Sequence, residues 1–419
     1  MTEKATAQHS DIVIVGGGMI GSCLALALAR LPYSVTLVEP FAPTHTDAPG
    51  FDARAIALSR TSAKILDSLS LWQPLKDKVT PIKDIHISDK GRSGICRLSA
   101  AEAHIPAMGY VVELAETGKV LNQTLQAANI DLRCPAKVVD MTKDGSGWEL
   151  TIEENEQRQS LTTSLVIAAD GGNSAIREML NVDIAEKTYR QNAIISTIQS
   201  QLDHNHQAFE RFTDEGPVAM LPLSDNRISL VWMLPPELAE EMVGCAEAEF
   251  LSGLQAAFGY RLGRLERVGQ RHMYPLVLRQ TKSSIDGVIF VGNAAQSLHP
   301  IAGQGFNLGL RDVADLVDVL RDCAIENLSL SEADNIQLLQ ADYGELRARD
   351  KELIITMTDG LARLFANPSP LLSLPRNLVL HLLATTPSIR HEFGRFAMGA
   401  NHPASRLTRG LNLEVEPRP

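Results

Sequence analysis

The stretch from Asp11 to Glu39 constrains this chain more than any other. Asp11–Val15 (DIVIV) is a β-branched run that reads as a buried strand, and Gly16-Gly17-Gly18-Met19-Ile20-Gly21 follows it directly. Residues 19–30 (MIGSCLALALAR) then read as a helix, and Ser34–Glu39 (SVTLVE) as a second strand ending in an acid. Strand, glycine turn, helix, strand and terminal acid in that order form the first unit of a doubly wound sheet. The first glycine permits the tight turn, the second leaves the backbone open to a pyrophosphate, and the third lets helix and sheet pack closely. Those roles fall on Gly16, Gly18 and Gly21, and Glu39 stands where a ribose diol is held. The pattern points to an adenine dinucleotide; the bland alternative is a glycine-rich turn in the same kind of sheet.

A second stretch, Gly287 to Leu320, has a related logic. Val288–Val291 reads as a buried strand, a loop rich in Gly, Asn, Gln and Pro follows, and positions 310, 313, 314, 317 and 320 repeat at helical spacing. Arg311, Asp312, Asp315, Asp318 and Arg321 fall on the opposite face. Gly303, Gln304, Gly305 and Asn307 lie where the helix starts. There glycines admit a ligand to the backbone, and first-turn N–H groups favour negative charge. Alone, this is equally an ordinary strand–loop–helix turn; the first motif shifts it towards a ligand site.

Elsewhere the chain alternates short strands and helices. Arg54, among the small and apolar residues 51–59, is either a phosphate clamp or a salt-bridged surface residue. Helices are expected over 62–72 and Ala115–Ala128, and strands over 82–88, Asp131–Cys134, Lys137–Met141 and Trp148–Glu153. Leu165–Ala169 runs into Asp170-Gly171, an acid in a glycine turn at a strand's C-terminal end, where open α/β sheets hold ligands. A turn or N-cap aspartate is the other reading. From Tyr189 to Leu234 the composition shifts to strands, which implies an inserted antiparallel sheet. Phe209, Phe212, Met220, Leu221 and Trp232 there either face an aromatic substrate or form sheet core. Beyond about Asn327 the chain reads as helical. The expected fold is α/β: a Rossmann-like dinucleotide-binding domain over 10–185 and 281–325, an antiparallel-sheet substrate domain over 186–280, and a helical C-terminal region over 326–419.

Composition narrows the function. The chain has 419 residues, 44% of them hydrophobic, enough for one large domain or two to three closely packed ones. A formal net charge of -11 argues against nucleic acid as a partner. Five cysteines without paired spacing suggest reduced thiols in a cytoplasmic protein and no metal site. No apolar run reaches the ~18 residues that span a bilayer, so a soluble or peripheral protein is expected. The motifs GxSxG, HExxH and CxxC are absent from the sequence, which removes support for serine, zinc or dithiol catalysis.

Three ordered motifs, VGGGMIG at 15–21, AADGGNSAIR at 168–177 and VGNAAQSLHPIAGQGFNLGLRD at 291–312, resemble those of the class A flavoprotein aromatic hydroxylases, the para-hydroxybenzoate hydroxylase type. The segments FDARAIALS, ERFTDEGPVAMLPLSDNRISLVW and GNAAQ are similar to the branch acting in ubiquinone biosynthesis. The resemblance covers about residues 10–365. It implies tightly bound FAD, with Gly16, Gly18, Gly21 and Glu39 on the ADP half, Arg54 beside the diphosphate, and Asp170 and Gly171 near the pyrophosphate and the reductant's path. The family's third motif usually carries an acid on the ribityl chain. Here that position is Asn293, which keeps a hydrogen bond but brings no charge. Pro300 to Asn307, including Gly303, Gln304 and Gly305, would wrap the isoalloxazine. His299 and Pro300 are the candidates nearest the chemistry, although a turn histidine is as good a reading of His299. The implied reaction is reduction of FAD by NAD(P)H, O2 addition at flavin C4a, and oxygen transfer to the ring of a prenylated methoxyphenol. It further implies other ubiquinone-biosynthesis proteins as partners and a cytoplasmic location. Peripheral contact with the inner face of the membrane is also expected, and the apolar stretch Leu371–Leu383, with Arg376 and His381 interspersed, reads either as its docking surface or as core and inter-helix packing. An FAD-dependent lipid oxidoreductase without oxygen insertion and a flavin-binding scaffold subunit are the alternatives.

Overall fold

Strand β1 (Gln8–Val15) lies in the middle of a mostly parallel sheet. The computed structural model describes residues 8–42, 54–281, 284–297, 304–365, 379–399 and 405–415. The strand order is Ser284–Ile285, Val288–Phe290, Gln157–Ala168, β1, β2 (Val35–Val38) and Asp131–Arg133, with the hairpin Ala136–Asp144 and Gly147–Glu154 joined to Gln157–Ala168. β1 pairs in parallel with β2 (Val15 opposite Val38) and with Gln157–Ala168 (Val15 opposite Ala168), and Ala168 in turn pairs with Phe290. These registers decide the site. Gly16, Ala169-Asp170 and Val291-Gly292 all leave parallel neighbours at the same level, so three motifs far apart in sequence meet on one C-terminal sheet edge. Helix α1 (Met19–Leu28) covers one face, with every residue from Gly21 to Leu28 buried.

The second sheet is wider than the segment 186–280. Its order is Gln296–Ser297, His272–Gln280, Ala185–Ser200, Arg227–Leu234, Val218–Pro222, Gln207–Phe212, Asp84–Asp89 and Ile95–Ser99. The last two strands come from the first half of the chain, and Gln207–Phe212 pairs with Asp84–Asp89 in parallel. Strand alternation divides its residues between two apolar faces. Ile194, Phe209, Val218, Met220, Leu230 and Trp232 pack with the helices Pro236–Gly244 and Glu247–Phe258. Ile195, Ala208, Glu210, Phe212, Ala219 and Val231 face the other way, into a chamber. A small third sheet holds β3 (Ala55–Ser59), Gly109–Glu113 and Val79–Ile82, and α2 (Arg60–Ser68) follows with Ser59 as its N-cap.

The helix Gln304–Ile325 is buried on its charged face as well as its apolar one. Its charged residues do oppose the apolar stripe, and Arg311, Asp312 and Asp315 are each under 5% exposed. The covering element is the helix Ala333–Phe365, which supplies Arg347, Asp350 and Lys351. Arg347 donates to Asp312, Asp315 and Asp350 at 2.8 Å each, and Arg311 donates to Asp350 at 2.9 Å. The ammonium of Lys351 lies 3.8 Å from Asp312. Three carboxylates and three cations thus neutralise one another between the two helices, which is the condition under which charges tolerate burial.

Candidate active site

The glycine turn is shaped by its neighbours. Gly16 has φ +103°, and a Cβ there would lie 2.6 Å from the carbonyl oxygen of Ala169. At Gly21 a Cβ would lie 1.9 Å from the carbonyl oxygen of Gly16. Only glycine fits either position. Gly18 differs: it is the N-cap of α1, in extended conformation, with nothing within 4 Å of where its Cβ would stand. No side chain caps α1, and its first turn holds no acid. Its first N–H groups therefore point into open space, as an anionic ligand requires.

Glu39 closes the turn from β2. Its Oε2 accepts from Gly17 N at 2.6 Å and its Oε1 from Phe41 N at 2.9 Å. Each oxygen keeps a free acceptor direction for a ribose hydroxyl. If it serves that role, Glu39→Ala should weaken FAD binding roughly 10- to 100-fold, the value of a hydrogen bond to a charged acceptor; a fluorescence titration of apoprotein with FAD measures it.

Asp170 lies against Gly16. Its Oδ2 accepts from Ile176 N at 3.1 Å, while Oδ1 is buried with no hydrogen-bond partner among the described residues. An unpaired acceptor beside a glycine cradle and an uncapped helix fits a polar cofactor. Gly171, with φ +85°, has open space where a Cβ would be. Arg177 was not foreseen as a functional residue. It is buried and donates to Ala294 O at 2.8 Å and to Gly172 O at 2.6 Å, joining the acid-glycine turn to the third motif.

Asn293 is exposed towards the chamber. The turn that carries it is anchored from behind by Asp312, whose Oδ2 accepts from Gly292 N at 2.9 Å and from Gln296 Nε2 at 3.4 Å. The buried ion cluster therefore holds this turn, and the negative charge sits on Asp312. Gly305 borders the same chamber with open space at its Cβ position. Gln304 is fully buried. The side chain of Asn307 is engaged within the protein: Oδ1 accepts from Ser59 N and Ser62 Oγ at 2.7 Å, and Nδ2 donates to Ala57 O at 3.0 Å. It ties the helix start to β3 and α2, so a cofactor contact there falls to the backbone. Arg54 is exposed at the entry to β3, without an ion-pair partner among the described residues. His299, Pro300 and Gly303 lie outside the described residues, as does 371–378 of the stretch Leu371–Leu383.

The chamber has a volume of about 950 Å³ and runs from the Asn293 and Gly305 turns, past β3, to the open face of the second sheet. Helix Pro387–Ala397 and residues 379–383 cover it. Leu221 faces it, and so does Phe212. Met220 and Trp232 do not, which corrects the expectation for both. They are 1% and 4% exposed and point to the helix-covered face, where Trp232 meets Phe250 edge-on. Phe209 borders the chamber, but its ring packs edge-on against Phe258 on that same helix side. For Met220 and Trp232 the sheet-core reading is the one that holds.

Comparison with known proteins agrees with this geometry. A family model described as "FAD binding domain" matches residues 9–326. The chain is 34% identical to the ubiquinone hydroxylase UbiL of Rhodospirillum rubrum, over 96% of this chain and 94% of that protein. It is 31% identical to the 3-demethoxyubiquinol 3-hydroxylase of Escherichia coli, over 94% of this chain and all of that one. Among solved structures, p-nitrophenol 4-monooxygenase PnpA from Pseudomonas putida superposes with a TM-score of 0.75 at 17% identity, covering 94% of this chain and 100% of that one.

Proposed function

The chain belongs to the FAD-binding-domain family of flavoproteins, and on that premise we propose that it hydroxylates the ring of a prenylated methoxyphenol, a ubiquinone precursor, using NAD(P)H and O2. The observation that carries this reading is the chamber. It is walled by apolar side chains and bounded at one end by the Asn293 and Gly305 turns that border the cofactor cradle. FAD, when bound, supplies the hydride acceptor and the oxygen-activating ring. The chain's own residues supply position and dryness. The uncapped start of α1, Glu39 and Asp170 hold the dinucleotide, and the start of the Gln304–Ile325 helix favours negative charge near its N–H groups. Ile87, Leu98, Phe212, Leu221 and Val231 exclude water, which keeps activated oxygen from being lost as peroxide.

A polyprenyl tail needs a way out. Leu353, Leu382 and Ile389 line the chamber and are 42%, 41% and 44% exposed, an apolar rim suited to such a tail. No described helix is long and apolar enough to cross a membrane. The reading therefore has the enzyme work at the inner membrane surface or take its substrate from a partner in the pathway. Anaerobic mixing of the holoenzyme with NADH or NADPH tests it: a prenylated methoxyphenol should accelerate flavin bleaching, and the same rate without it would count against a phenol in this chamber.

A further inference from the structure

The sheet wall of the chamber carries one carboxylate, Glu210, in the middle of Gln207–Phe212. Its cross-strand neighbours are Ile87 and Ala219, and Ala208 and Phe212 flank it on the same face, so it stands in an apolar field. Its Oε1 is occluded and has no hydrogen-bond partner among the described residues. Two other acids lie on the surrounding elements: Asp89 is paired with Arg92, and Glu392, on helix Pro387–Ala397, borders the same chamber but is exposed to solvent and paired with Arg395. Cys96 is a buried neutral thiol on the strand beyond Ile87. Burial alone pushes the Glu210 carboxyl up to about 7. Unpaired carboxylates in apolar surroundings are costly, and their persistence in a cavity marks functional groups more often than structural ones.

We propose that Glu210 receives the ring hydroxyl of the substrate, accepting its hydrogen bond and taking its proton as the ring is oxygenated. The proposal rests on the reading that the substrate is a phenol. The phenolic O–H bond breaks, its electron pair stays on the ring oxygen, and the proton passes to the Glu210 carboxylate, giving a phenolate and a carboxylic acid. The pair raises electron density at the ring carbons ortho and para to that oxygen, where an electrophilic oxygen is accepted. That oxygen comes from O2 and the two electrons from NAD(P)H. As the hydroxylated carbon sheds its own hydrogen to solvent, Glu210 returns its proton to the first ring oxygen and is a carboxylate again. A carboxyl titrating near neutrality is far better matched to a phenol than an ordinary one.

The test uses full-length, FAD-loaded enzyme and a short-chain prenyl methoxyphenol. In the wild type kcat/KM should fall on the acid side with an apparent pKa near 7. Glu210→Gln should lower it by on the order of 10²- to 10⁴-fold and abolish that acidic limb, while Glu210→Asp keeps a limb at an intermediate rate. Thermal unfolding gives a readout without turnover. A carboxyl whose native pKa exceeds its unfolded one costs no stability below the unfolded value of 4.5, and its full cost is present above about 7. Glu210→Gln should therefore raise Tm by roughly a few degrees above pH 7, and the gain should vanish as the pH falls towards 4.5. Unchanged kcat/KM with the acidic limb intact in Glu210→Gln overturns the proposal, as does a variant destabilised at every pH. A wild type that oxidises NAD(P)H but oxygenates no phenol overturns the phenol reading, and the proposal with it.

Discussion

Gly18→Val is expected to give a folded, colourless protein. The position is extended rather than left-handed, and its Cβ would meet nothing within 4 Å, so a side chain is sterically free there. The cost to the apoprotein should be about 1 kcal/mol, because valine is a poorer N-cap than glycine, which is too little to unfold the chain. The isopropyl group would, however, fill the space above the uncapped N–H groups of α1, where a pyrophosphate must approach the backbone. Gly21→Ala makes the useful contrast. Its Cβ would stand 1.9 Å from a backbone oxygen, so helix and strand would have to separate and the fold itself should fail. Circular dichroism and the visible flavin spectrum distinguish the two: native ellipticity without flavin for Gly18→Val, and loss of both for Gly21→Ala. Gly18→Val protein that purifies yellow and fully loaded would falsify the placement of the pyrophosphate.

Arg347→Met is expected to be the most damaging change far from the cleft. Arg347 is fully buried and bonded to Asp312, Asp315 and Asp350 at once. Removing it leaves three carboxylates facing Arg311 and Lys351 in a water-poor layer. Breaking a buried pair in this way costs about 3–5 kcal/mol, against about 0–1 kcal/mol for an exposed bridge. The loss should also reach the site, because Asp312 holds Gly292 N and hence the Asn293 turn. A urea titration should show the midpoint falling with the slope unchanged, and the folded variant should release FAD more readily. A midpoint within experimental error of the wild type would show that the cluster contributes little.

What could be read in advance, and what could not, follows from the kind of signal each element carries. The three motifs were legible because each combines a strand end with glycines or an acid in fixed order, and the parallel register brings their ends together. The lining of the chamber was not. A period of two marks which residues share a face, but here both faces are apolar, one against helices and one against the chamber, so the sequence leaves Met220 and Trp232 open between substrate wall and sheet core. Glu210 escaped notice for the same reason: within QAFERF it looks like the polar half of an amphipathic strand. The charged face of Gln304–Ile325 has the pattern of a solvated surface, and only Arg347, Asp350 and Lys351, brought by a separate helix, reveal that it is buried. Asn307 matched a cofactor motif, yet its amide is engaged by β3 and α2.

The central claim is oxygen insertion into a phenol at the chamber, and isotopic oxygen tests it directly. FAD-loaded enzyme, NAD(P)H and a prenylated methoxyphenol would be incubated under labelled O2, and the product analysed by mass spectrometry. One labelled oxygen atom per hydroxylated ring is the predicted result, with the second atom recovered in water. Consumption of NAD(P)H with all labelled oxygen recovered as peroxide, at the same rate with and without the phenol, would contradict it.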